Sequence, residues 1–177
     1  MRSVKRTADS AATPTFSSWV RLSHYSYDYN VGFICSPHTG TTGTYSVQVS
    51  ESNPEDFEKA QFTRVTTTLT INTLSAHGLS TGDGVNLRGS TSWDTSGQSL
   101  QVTVSDADTF TVTVADTGAA SGVLEYAPIV ITDLTNYSAV SGRQQGTIVG
   151  ATQLVRIAKV SGTLSGKVTI EVTQAGN

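Results

Sequence analysis

Five stretches of this chain alternate apolar with hydroxyl or amide side chains at a period of two: residues 45–49 (YSVQV), 65–71 (VTTTLTI), 100–104 (LQVTV), 110–114 (FTVTV) and 168–172 (VTIEV). Successive side chains of an extended strand point to opposite faces, so such runs make one apolar and one polar face only as β-strands. Composition points the same way. Thr, Ser and Val supply 69 of the 177 residues. Thr and Val are stiff at their first side-chain torsion and suit pleated strands, while Ser and the 16 Gly suit turns. Long helix formers are scarce, and a helical bundle is excluded. The expected fold class is all-β, with about ten turn-separated strands.

Along the chain, residues 1–14 form a basic, Ser/Ala/Thr-rich arm. Arg2, Lys5 and Arg6 precede any acidic residue, and Pro14 closes the segment. Such an arm is expected to be frayed alone and to order against an acidic neighbour. Residues 25–29 (YSYDY) place Tyr25, Tyr27 and Tyr29 on one face, an interface stripe together with Trp19. Residues 31–35 (VGFIC) and 45–49 read as a hairpin around a Gly-rich loop. Residues 50–61 (SESNPEDFEKAQ) are the one candidate helix, with Asn53 as cap and Pro54 at the first position. Residues 89–97 form a polar loop around Trp93, and residues 162–166 (GTLSG) make a hairpin turn before the last strand.

Several function classes drop out. The net charge of −3 offers no basic face for nucleic-acid phosphates beyond the first six residues. One Cys, Cys35, forms no disulfide within the chain and no thiolate metal cluster. The first twenty residues carry charge but no apolar stretch behind it, so no secretory signal is expected. No window approaches 18 apolar residues, so no membrane span is expected.

Catalytic patterns are missing too. His24, His38 and His77 have no His or Cys at metal-ligand spacing. His77 lies in an AHGL turn and is expected to bond backbone. No G-x-S-x-G occurs, and GTLSGK lacks the phosphate-loop spacing. Asp106 and Asp108, with Asp94 or Asp116 nearby, do not follow a calcium-loop pattern and read as turn residues. No catalytic residue, cofactor or metal is expected, and the protein is not expected to be an enzyme.

Two stretches resemble phage proteins. Residues 67–85 (TTLTINTLSAHGLSTGDGV) and 104–112 (VSDADTFTV) look like a small β-barrel module of many phage virion proteins. That module is named after the first catalytic-cysteine half-domain of ubiquitin-activating enzymes. Its pattern is A-H-G-L-x-x-G-D at a turn and D-x-x-T-F-T-V on a later strand; Cys35 lies outside it. Residues 29–34 (YNVGFI), 44–49 (TYSVQV), 153–158 (QLVRIA) and 165–176 (SGKVTIEVTQAG) resemble small phage structural proteins encoded near capsid genes, some of them jelly-roll capsid cement proteins.

These resemblances imply a discontinuous jelly-roll-like β-sandwich, residues 15–63 and 125–177, with a small β-barrel, residues 64–124, inserted in a loop. They imply a virion protein of the capsid surface, made in the host cytoplasm. It would be a cement or decoration protein that binds major capsid subunits as a homo-oligomer, a trimer first. Arg2, Lys5, Arg6, Trp19, Tyr25, Tyr27 and Tyr29 are the candidate capsid or subunit contacts, and Trp93 the candidate projecting-loop contact. The alternative is a tail, fibre or adhesin component that binds host-surface glycan through Trp93. Neither nucleic acid nor membrane is an expected partner.

Overall fold

The computed structural model describes residues 2–9, 16–22, 31–89, 99–148, 151–160 and 164–174. The described residues hold strands and no α-helix. In chain order the strands are β1 (Arg2–Asp9), β2 (Val20–Arg21), β3 (Val31–Pro37), β4 (Tyr45–Ser50), β5 (Glu58–Val65), β6 (Thr68–Thr73), β7 (Gly84–Arg88) and β8 (Leu100–Gln101). They continue as β9 (Thr103–Val104), β10 (Thr109–Thr113), β11 (Ala120–Ile129), β12 (Thr132–Asp133), β13 (Gln144–Ile148), β14 (Leu154–Lys159) and β15 (Lys167–Gln174). A 3-10 turn covers Thr135–Tyr137.

The chain divides into two compact units. Unit 1 comprises residues 1–51 and 132–177, and unit 2 residues 52–131. Both boundaries lie outside the expected 64–124, because β5 pairs with β6 and β11, and the long β11 runs on to Ile129.

Unit 1 has two four-stranded sheets, in the orders β1-β15-β3-β13 and β12-β4-β14-β2. Phe33, Cys35, Val168, Ile170 and Val172 from the first share one buried core with Tyr45, Val47, Val49, Val155 and Ile157 from the second. Each fully buried apolar side chain of this size contributes about 1.5–3 kcal/mol. The β3–β4 hairpin expected from the sequence does not form, since β3 and β4 belong to different sheets. The same holds for β14 and β15, so the 162–166 stretch is not a hairpin turn. Residues 161–163 lie outside the described residues, but the described part of that connection meets the 38–44 loop. Thr42 bridges Ser165, and Thr41 Oγ1 both donates to the Lys167 carbonyl at 2.9 Å and accepts from its N–H at 3.1 Å. Gly166 sits there at φ +96, where a Cβ would lie 2.5 Å from Thr41 Oγ1.

Unit 2 is one seven-stranded sheet, β8-β7-β11-β5-β6-β10-β9, curled until its edges meet. Those edges, β8 and β9, are separated in the chain only by Val102, which is buried. The run at 100–104, which reads as one strand, is therefore two half-strands on opposite rims of a nearly closed barrel. Ala60, Leu69, Ile71, Val85, Leu87, Phe110, Val112, Leu124 and Tyr126 fill its interior.

Two further expectations fail here. The candidate helix is absent: Asn53 Oδ1 accepts from Glu55 N–H and the Asn53 carbonyl from Asp56 N–H, but these bonds close a turn. The chain then enters β5. The alternating run at 65–71 is also not one strand. It breaks at Thr66, in the left-handed region at φ 56, where β5 folds back on β6.

Candidate interaction surfaces

Arg2, Lys5 and Arg6 lie in β1, not in a free arm. All eight residues of β1 pair with β15. The register sets Lys5 opposite Glu171 and Asp9 opposite Lys167. Opposite charges facing across a strand pair favour one register over its slips.

Trp19 is 8% exposed, and its indole is not open for a partner in this chain. It lies 4.4 Å from the guanidinium of Arg156, with the Phe16 ring at 4.0 Å. Arg156, on β14, is 2% exposed. Its Nε donates to Gln48 Oε1 at 2.8 Å, and Gln48 Nε2 donates to Asp133 Oδ1 at 2.8 Å. Burial pulls the Arg156 pKa down to about 10, against an upward pull from Asp133. Ser17 secures the covering segment, exchanging hydrogen bonds with the Ile157 backbone. The guanidinium is thus held by cation–π contacts, worth about 2 kcal/mol or more when desolvated. Arg156 shares a strand face with Leu154 and Ala158 and alternates with Val155 and Ile157, and nothing in that local pattern signals the covering aromatics.

Tyr25, Tyr27, Tyr29, Trp93, His24 and Asp94 lie outside the described residues.

The AHGLSTGD stretch is the seam of the barrel. His77 Nδ1 accepts from Leu79 N–H at 3.0 Å, so Nε2 carries the proton and donates to the Asp106 carbonyl at 3.1 Å. Its ring meets Phe110 edge-on at 5.1 Å. Asp83 is buried; its two carboxylate oxygens accept from Ser80 N–H at 2.8 Å and Ile131 N–H at 2.7 Å. The Asp83 carbonyl accepts from Val102 N–H, Gly82 N–H donates to the Val102 carbonyl, and Thr81 Oγ1 accepts from Val104 N–H. Gly78 and Gly82 take φ +66 and +103, which ordinary side chains disfavour. Thr81, Gly82 and the Asp83 carbonyl therefore fasten backbone at Val102 and Val104, where β8 and β9 meet, while His77 ties the turn to Asp106.

His38 Nε2 and Thr169 Oγ1 lie 2.7 Å apart on the outer face of the β15–β3 pair, beside Glu171. Asp106 accepts from Asp108 N–H, and hydrogen bonds from Asp108 and Thr109 hold its carboxyl below the usual range. Among the described residues, no three His, Cys, Asp or Glu side chains stand where they would hold a metal, and no helix is long and apolar enough to cross a membrane. An open groove also crosses the outer face of β11, β5, β6 and β10, a site no sequence motif marks.

No protein-family model, curated protein or solved structure matches this chain.

Proposed function

We propose that the protein is a structural component of a tailed-phage virion, a cement protein bound across junctions between major capsid subunits as a homotrimer. In this reading unit 1 is a jelly roll. The observation that carries it is strand order. Numbered within unit 1 alone, the eight strands run 1-8-3-6 in one sheet and 5-4-7-2 in the other. Strands 1 and 8, 2 and 7, 3 and 6, and 4 and 5 are each antiparallel partners. That is an antiparallel ribbon rolled upon itself, the arrangement of jelly rolls in viral capsid and lectin domains. Unit 2 occupies the connection between strands 4 and 5, the far end of that ribbon, in keeping with insertion at a loop. Capsid rather than lectin use rests on the sequence resemblance in unit 1.

A cement protein stabilises a shell because it binds the assembled junction and not the separated subunits. At a hundredfold excess over its dissociation constant, each site adds about 2.7 kcal/mol. The test is to add purified protein to heads lacking it and image them by electron microscopy. Density over subunit junctions, with a raised rupture temperature of the heads, is expected. Density on tails and bare heads would overturn the reading in favour of an adhesin. Native mass measurement tests the trimer.

A further inference from the structure

The outer face of the barrel carries a groove lined mostly by hydroxyl and amide side chains, with Phe62, Gly122 and Val123 among them. Strands β11, β5, β6 and β10 lie side by side, and their register aligns rows across them. One row is Ser121, Thr63 and Thr70; the next is Val123, Gln61, Asn72 and Thr109. With neighbouring strands about 4.8 Å apart, a four-strand row extends about 14 Å. The groove over them measures about 540 Å³. Small-ligand sites fall in the range of about 300–1,000 Å³.

No lining residue is charged. Asn72 Nδ2 donates to Thr109 Oγ1 at 3.1 Å, which leaves its amide oxygen with no hydrogen bond to another described residue. The side chains of Gln61, Thr63, Thr70 and Ser121 make no hydrogen bond to another described residue. Val123, 65% exposed, adds an apolar patch at one end. Amides and hydroxyls each donate and accept, as do the hydroxyls of a sugar, whose C–H face also needs apolar contact. A phosphodiester chain would require Lys or Arg. An amphipathic helix would require a continuous apolar trough. Neither is present in this groove.

We propose that this face binds a neutral polysaccharide chain laid across β11, β5, β6 and β10. The site is separate from Trp93 and does not depend on the capsid reading, since heads and glycan are assayed apart. The test follows amide shifts of the isotope-labelled full chain during titration with maltohexaose, chitohexaose and, as an anionic probe, heparin. At least one neutral probe is expected to give saturable shifts confined to these four strands, at a dissociation constant of about 1 mM or tighter. Gln61→Ala combined with Asn72→Ala, both on the surface, should weaken that binding at least about tenfold while the remaining spectrum is unchanged. Lack of saturable shifts with both neutral probes, binding of heparin alone, or shifts unaffected by the double variant would overturn the proposal.

Discussion

In unit 1 every strand of the first segment finds a partner in the second: β1 with β15, β2 and β4 with β14, and β3 with β13 and β15. In unit 2 half of the pairs join chain neighbours, namely β5 with β6, β7 with β8, and β9 with β10. The two units share a Val/Thr vocabulary but not a closure problem. Unit 1 must bring together chain segments on either side of residues 52–131, so its core forms only after a long loop is closed. Unit 2 is contiguous, and closing its barrel requires joining its rims. The seam motif acts at that place.

The largest effect expected from this contrast is on fragments. Residues 52–131 expressed alone should give a dispersed amide spectrum and a cooperative melt. Residues 1–51 alone should remain unfolded, since both sheets lose their partners. Residues 1–51 and 132–177 joined by a short Gly/Ser linker should recover a folded unit 1. An unfolded 52–131 fragment would break the comparison.

Next in size are substitutions in the two cores. Ile157→Ala should cost about 2–5 kcal/mol and Phe110→Ala about 3–5 kcal/mol, read from urea midpoints. The polar devices follow. Arg156→Lys keeps the charge but loses the planar stack on Phe16 and Trp19 and the Nε–H to Gln48, for about 2 kcal/mol. His77→Ala leaves the Leu79 N–H and the Asp106 carbonyl without their partner, again about 2 kcal/mol. Tryptophan fluorescence would respond to the first substitution through Trp19, and a change after His77→Ala but not after Arg156→Lys would contradict the assignment of the clamp.

Alkaline pH separates the units by their acids. Burial raises the Cys35 thiol from 9.0 to about 12, against a lowering hydrogen bond with Tyr45. Burial also raises Tyr45, with Cys35 adding to the shift. In unit 2, burial and then Glu58 raise Tyr126 from 10.0 to about 12. Above pH 9 the unfolded chain releases these protons while the folded chain keeps them, so stability falls as pH rises toward about 12. Arg156 works in the opposite direction from about 10 upward, because there the unfolded chain holds the extra proton. Cys35→Ala should remove the earliest part of the loss, in unit 1. Tyr126→Phe should flatten only the part that begins near pH 10.0, in unit 2. Urea midpoints that stay level from pH 9.0 to about 12 would contradict both assignments.

Period-two alternation marks β4, β10 and β15 correctly because their apolar residues sit on one inward face. It misses β5, where Ala60 and Phe62 are the apolar inward residues and Arg64 forms an ion pair with Asp116 at 2.7 Å. With so little apolar signal, Pro54 and three acids dominate that region and suggest a helix. Nothing in a row of threonines reveals that the chain reverses at Thr66, because the turn is set by backbone conformation. Loop length fails in the same way between β3 and β4: a Gly-rich connection serves a hairpin or a crossing between sheets equally well. Trp19 reads as an interface residue because tryptophan is frequent there. Its actual neighbour, Arg156, is distant in sequence, and no local pattern pairs them.

The smallest effect concerns charge pairs and tests whether an edge strand and a central strand respond alike. On β1, at the rim of its sheet, Lys5 is registered opposite Glu171. On β11, inside its sheet, Glu125 is registered between Lys59 of β5 and Arg88 of β7. A facing pair of opposite charges is worth about 0.2–1 kcal/mol, and like charges destabilise by a similar amount. Lys5→Glu should therefore weaken β1 by about 0.5–1 kcal/mol. β1 has one partner strand, so the loss should appear as faster hydrogen exchange along β1 and β15 while the global melt is unmoved. Added salt should narrow the difference, and Glu171→Lys in the same chain should restore protection. Glu125→Lys faces two cations, yet β11 is held by ladders on both sides. It should lower the unit 2 melt slightly without selective exchange in β11. Equal exchange profiles in Lys5→Glu and the parent chain would show that the Lys5–Glu171 opposition does not hold β1 in register.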